Sequence, residues 1–208
     1  MIIFVEMITY YIIGATVCIS LIAMNDNSLK GKMMFNPYMI NHKKEWYRFF
    51  SSGLIHADWM HLIFNMYSLY IFGTAVEQGY HDLFEGKATL FFILLYVTGL
   101  ALSSMYEYEK NKNNIYYNAL GASGAVSAVV FAFIILAPTQ KLFFIFLPIP
   151  IPAYLFGLLF LAIEYYLDKK GGSNIGHNAH FWGAIHGVIF TIILKPQLIT
   201  YFIAQILQ

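Results

Sequence analysis

The chain has 208 residues, of which 59% are hydrophobic and only 11% charged, and its formal net charge is +1. Soluble domains carry about 25% charged residues, so the composition excludes a soluble fold and points to an integral, multi-pass protein surrounded by lipid bilayer. The near-neutral balance leaves no electrostatic basis for a nucleic-acid partner. The single cysteine, Cys18, excludes an internal disulfide and reads as a small lipid-facing or packing residue.

A bilayer-spanning helix needs about 20 mostly apolar residues. Apolar runs of that kind lie near 2–24, 57–76, 88–106, 119–137, 143–167 and 179–195. They predict an all-α bundle of six transmembrane helices forming a single membrane domain over residues 1–208. The first run carries no Lys or Arg at its start and continues to Met24, which favours a retained helix over a secretory signal. The connection from Asn25 to His56 holds Pro37, Trp46, Tyr47, Arg48, Phe49 and Phe50, residue types suited to the headgroup zone. Leu147 to Pro152 alternates proline with apolar residues, so the fifth helix is expected to have an irregular start. Leu198 to Leu207 is too short to span and is expected at the interface.

The second, fourth and sixth runs cross in the same direction, so their N-terminal ends share one side. Those ends carry His56, His61 and Asn65, then Gly121-Ala122-Ser123-Gly124, then Ala179-His180. Polar groups inside spans are costly and face a cavity or one another. His61 and Asn65 are four apart and share a helix face. Gly121 and Gly124 in the fourth run, and Gly183 and Gly187 in the sixth, leave room for close helix contact. That contact brings a serine near a histidine, the minimal parts of a nucleophile and its base. Ser123 is the candidate nucleophile and His180 the general base. His61, Asn65 and the Ser123 backbone N–H are the candidate oxyanion donors, and His56 a supporting residue that hydrogen-bonds in the polar pocket or helps to admit water. No Asp or Glu presents itself as a third member near His180, which predicts a dyad.

A metal site is the chemical rival, because His56, His61, His177, His180 and His186 are numerous. There is no His-Glu-x-x-His pattern, and Asp58 and Asn65 do not complete a zinc set, so neither a metal nor a cofactor is expected. His186 lies off the His180 face and reads as structural; His42 and His81 read as loop residues.

The ordered set Trp46-Tyr47-Arg48, His56-x4-His61-x3-Asn65, Gly73-x2-Val76-Glu77, Gly121-Ala122-Ser123-Gly124 and Ala179-His180-x2-Gly183-x3-Gly187 resembles the rhomboid intramembrane serine proteases. The likeness is to the minimal six-helix bacterial-type form. It implies a Ser123–His180 dyad with an oxyanion site from His61, Asn65 and the Ser123 amide, and location in a bacterial inner membrane. The implied partners are transmembrane protein substrates, cleaved near the top of their spans after access beside the fifth helix, with the loop at about 168–177 as a cap. Some members carry a tyrosine four residues after the serine that stacks on the histidine. Ser127 stands there, so His180 needs another brace, expected from packing on Gly124 and Ala128. A catalytically silent, client-binding relative and a proton-coupled transporter using His56, His61 and His180 are the other function classes. Orientation has two readings. Lys30, Lys32, Lys43, Lys44, Arg48, Lys110, Lys112, Lys169 and Lys170 lie on the active-site side against Lys87, Lys141 and Lys195 opposite. Charge places the first group inside, whereas the resemblance places it outside.

Overall fold

The computed structural model describes residues 7–144, 147–172 and 176–207. The chain forms α1 (Ile8–Asn25), α2 (Asn27–Met33), α3 (Pro37–Lys43), α4 (Arg48–Ser51), α5 (Trp59–Ser68), α6 (Thr74–Phe84), α7 (Ala88–Ser103), α8 (Met105–Asn111) and α9 (Ser123–Leu136). Strands β1 (Lys141–Phe144) and β2 (Leu147–Pro152) follow, then α10 (Ala153–Lys170), α11 (His177–Leu194) and α12 (Leu198–Ile206). The fold is therefore an all-α bundle with, among the described residues, one short antiparallel strand pair, Lys141 opposite Pro152 and Leu142 opposite Ile151.

Ile8–Asn25 and the helical stretch Trp59–Asn111 are long and apolar enough to cross a membrane. The pair His177–Leu194 and Leu198–Ile206, bent by 115° at its break, makes a third such unit if taken together. Ser123–Leu136 is apolar but shorter. A straight helix of the 53 residues in Trp59–Asn111 would be about 80 Å long at 1.5 Å per residue. Instead the stretch turns at Glu85, whose φ is 49°, and α7 returns against α6.

Several boundaries differ from the sequence expectation. α10 starts at Ala153 rather than near 143, because the proline run forms a strand and its last proline caps the helix start. The second helix passes through a π turn at Leu69–Gly73 and runs on to Phe84, so His81 lies in a helix and not in a loop. The third ends at Ser103, with Ser104 separating it from α8.

α9 is apolar all round, the pattern of a central helix. Eleven of its residues are buried, including Ala125, Ala128, Val129 and Ala132. α11 and α7 pack directly on it. A Cβ added to Gly183 would collide with the Gly124 carbonyl, and one added to Gly187 with the Ala128 carbonyl. These glycines set the distance between α9 and α11. Ile22, Ile63, Leu90, Leu158, Ile189 and Ile193 project outward from five different helices and form an apolar exterior, as a lipid-facing surface requires.

The N-terminus of α1 is held by a buried carboxylate. Glu77 of α6 accepts hydrogen bonds from the backbone N–H groups of Ile8 (2.9 Å) and Thr9 (2.8 Å), satisfying donors that a helix leaves free. Gly73 leaves space for Thr9, whose Oγ1 would lie 2.9 Å from a Cβ there. The segment between α1 and α5 has its own small core of Phe35, Ile40 and Phe49. Arg48, only 5% exposed, ties this segment together. Its Nη1 donates to the carbonyls of Gly31 (3.0 Å) and Met34 (2.7 Å), and its Nε to Glu45 Oε2 (2.6 Å).

Gly187→Ala drives a methyl group into the α9 backbone, and overpacking of a tight core costs about 1–3 kcal/mol. The variant is expected to show a lower thermal midpoint than wild type in detergent. An unchanged midpoint would contradict the close contact.

Candidate active site

The turn before α9 is fixed from three directions. Phe35 and Ala119 exchange backbone hydrogen bonds of 2.9 and 3.0 Å, and the Gly121 N–H donates to the Ser52 carbonyl at 2.9 Å. Gly121 has φ 115°, a left-handed conformation that glycine adopts without strain. A side chain there would also collide with the His61 ring.

The third anchor is His56, which is fully buried. The Ala122 N–H donates to its Nε2 at 3.5 Å, so Nε2 is the acceptor and Nδ1 bears the proton. Nδ1 then donates to Ser20 Oγ (3.0 Å), and Ser20 Oγ donates to the Leu54 carbonyl (2.9 Å). This relay joins α1, the segment before α5 and the residue preceding Ser123. His56 does not line the cavity described below. Its observed contacts hold the turn before Ser123.

Ser123 is the first residue of α9. Its N–H belongs to the group of N-terminal donors that have no partner within the helix and lie at the positive end of the helix dipole. α5 starts three residues after His56, with Asp58 as N-cap accepting the His61 N–H at 2.9 Å. One turn further, Asn65 Nδ2 donates to the His61 carbonyl at 2.9 Å. The His56 and His61 rings meet edge to face with centroids 4.9 Å apart.

His180 sits in the first turn of α11. Its Nδ1 lies 3.1 Å from Glu164 Oε1 on α10, and His177 Nδ1 lies 2.6 Å from Glu164 Oε2. No Asp or Glu was expected beside His180, yet a carboxylate reaches its ring. It was not evident because Glu164 precedes His180 by 16 residues on a different helix, and only the register of α10 against α11 brings them together. The brace of His180 is likewise Glu164, with the Phe160 ring centroid 6.4 Å away. Gly124 and Ala128 instead receive Gly183 and Gly187.

A cavity of about 1680 Å³ opens between α5 and α10, with α9 as its back wall. Ser123, Gly121, Gly124, His61, Asn65 and His180 all line it, together with Ser127 and Glu164. Among the described residues, no hydrogen bond joins Ser123 and His180. Glu164, His177 and His180 offer three ligand atoms within 4.8 Å of one another, the one set among the described residues that can hold a metal ion. In this structure both histidines hydrogen-bond to Glu164. His186 Nε2 bonds Thr98 Oγ1 at 2.9 Å, bridging α11 and α7. The segment expected as a cap includes residues 173–175, which lie outside the described residues. At its edges, Asn178 Nδ2 donates to Glu107 Oε1 (2.9 Å) and Asp168 Oδ1 (2.6 Å).

Residues 43–197 match the family model of the Rhomboid domain. The chain belongs to the rhomboid family. All the motifs from Trp46 to Gly187 fall inside the matched region. Among rhomboid relatives, the chain is similar to RHOMBOID-like protein 12, mitochondrial, of Arabidopsis thaliana, with 30% identity over 165 residues, 74% of this chain and 49% of the relative. It is also similar to Rhomboid protease AarA of Providencia stuartii, with 28% identity over 183 residues, 78% of this chain and 61% of the relative. Over a shorter stretch, 43% of this chain, it is 34% identical to Rhomboid-like protein 11, chloroplastic, of Arabidopsis thaliana. The chain spans between 29% and 61% of the length of these curated relatives.

Burial, and next the charge of His61, push the His56 pKa down from 6.5 to about 4, with Asp58 opposing. The folded protein therefore binds fewer protons than the unfolded chain between those values, and stability rises with pH across that window. His56 contributes fully above pH 6.5, and its contribution is lost as pH falls toward 4. The thermal midpoint in detergent should drop over that range, and His56→Gln should flatten the dependence. Parallel curves for the two proteins would rule out this role.

Proposed function

We propose that this rhomboid-family chain is an intramembrane serine endopeptidase that cleaves transmembrane segments through Ser123 and His180. The observation that carries the reading is that Ser123, His180, His61 and Asn65 line one cavity at the matching ends of α9, α11 and α5. Similarity to the Rhomboid protease AarA supports it.

Ser123 Oγ attacks the scissile carbonyl while His180 takes the hydroxyl proton. The resulting oxyanion is stabilised by His61, Asn65 and the Ser123 N–H. His180 returns the proton to the leaving amine as the C–N bond breaks, and water in the cavity hydrolyses the acyl-enzyme by the reverse sequence. The open side between α5 and α10 gives a substrate helix lateral access to the cavity. In this reading α1, α5 with α6, α7, α9, α10 and α11 make six crossings of one membrane domain, in the inner membrane of a bacterial cell. The substrates are membrane proteins, and no metal or cofactor takes part.

A client-binding role without catalysis is the second reading, favoured by the lack of a Ser123–His180 hydrogen bond among the described residues. A fluorophosphonate probe separates the two. Purified wild type should be labelled at Ser123, and Ser123→Ala and His180→Ala should lose both labelling and cleavage of a transmembrane reporter. Cleavage that persists in Ser123→Ala would sink the protease reading. Asn65→Ala should lower kcat by about 10²–10³-fold, the usual cost of one oxyanion donor, with little change in KM. A loss confined to KM would remove Asn65 from the oxyanion site.

A further inference from the structure

The geometry points to Glu164 as a positioning residue for His180, making the working unit a Ser123–His180–Glu164 triad. The inference rests on the Ser123–His180 reading above.

Glu164 is 8% exposed and stands on α10, facing α11. Both of its oxygens are engaged by imidazoles: Oε1 with His180 Nδ1 at 3.1 Å and Oε2 with His177 Nδ1 at 2.6 Å. An ionised carboxylate can only accept, so each Nδ1 carries the proton. This fixes the tautomer of His180. Its Nε2 is left as the basic nitrogen of the neutral ring, which lies at the wall of the cavity that Ser123 also lines. His177, one helical turn earlier on α11, occupies the second oxygen and keeps the carboxylate from rotating. The alternative acids near α11, Glu107 and Asp168, are both bonded to Asn178.

The chemistry balances without any further group. As the Ser123 Oγ–C bond forms, the hydroxyl proton moves to His180 Nε2, and the imidazolium keeps its Nδ1–H bonded to Glu164. The carboxylate stays ionised and stabilises the positive ring. When the C–N bond breaks, the Nε2 proton leaves with the amine. A second, smaller cavity of about 180 Å³ also reaches Glu164, lined by Tyr106, Asp168, Asn178 and Trp182 among others. It gives a small carboxylate a route to the site.

The test compares the rate of fluorophosphonate labelling at Ser123, and kcat and KM for a transmembrane reporter, in wild type, Glu164→Gln and Glu164→Ala. Glu164→Gln should lower the labelling rate and kcat by 100-fold or more while KM stays within about threefold, as expected for a lost tautomer control. Added formate should restore the labelling rate of Glu164→Ala at least tenfold. Equal labelling rates in wild type and Glu164→Gln would overturn the proposal while leaving the Ser123–His180 reading intact. Absence of Ser123 labelling in wild type would instead defeat that underlying reading. If both variants fail to fold, the ¹⁵N spectrum of histidine-labelled wild type, assigned with His180→Gln, decides. A Nδ1–H tautomer for neutral His180 supports the triad, and a Nε2–H tautomer overturns it.

Discussion

The backbone contact between α9 and α11 is the constraint on which the site depends. Lipid tails are as apolar as leucine, so burial alone does not drive two membrane helices together; packing and close backbone approach do. Here Gly183 meets the Gly124 carbonyl and Gly187 meets the Ala128 carbonyl, with no room for a methyl group at either glycine. The contact fixes both the separation and the depth of the two helices. Ser123 is next to Gly124, and His180 is one turn before Gly183, so the same glycines set the register of serine and histidine. On its other side Gly124 is filled by the Ser103 side chain of α7, which leaves α9 little freedom to shift.

A second layer of control is polar and lies before the helix starts. The Leu54–Ser20–His56–Ala122 relay and the Gly121–Ser52 hydrogen bond hold the turn that presents Ser123. A neutral hydrogen bond contributes about 1 kcal/mol net, but leaving its buried partner unsatisfied costs about 1–3 kcal/mol. In a relay of linked buried groups, deleting one member strands its neighbours, so these bonds act more as a specification of geometry than as separate increments of stability. Arg48 does the same for the preceding segment, since one guanidinium serves two carbonyls and Glu45.

Helix order and the cavity-lining set were legible because they follow from local signals. Apolar length marks helices, same-direction helices share an end, and small residues at i, i+4 mark close contact. What escaped depended on partners distant in sequence. Ser20 looked like one more small residue in an apolar run, yet it accepts from His56 across 36 positions. Glu77 was readable as part of a pattern, but not as the acceptor for the first N–H groups of α1. The strand pair was hidden by hydrophobicity: residues 143–152 are apolar enough to read as helix, and the prolines that suggested an irregular start in fact keep Leu147–Pro152 extended. Glu164 escaped because helical periodicity shows which face a residue occupies, and not which residue of the next helix stands opposite.

Glu164 also links the chemistry to the wall of the cavity. Removing an ionised carboxylate from water costs several kcal/mol unless it is bonded, and here two imidazole N–H groups supply the bonds. When His180 gains a proton, the pair becomes oppositely charged; at about 4 Å and an effective dielectric near 20, such charges attract by roughly 4 kcal/mol. That attraction falls as the distance grows. The carboxylate rides on α10 and the imidazole on α11, so any outward displacement of α10 lengthens the contact and weakens the base. α10 is also one flank of the opening beside which a substrate helix would pass. If His180 serves as the proposed base, it would be strongest when α10 is seated on α11, which would tie the proposed chemistry to a closed lateral wall.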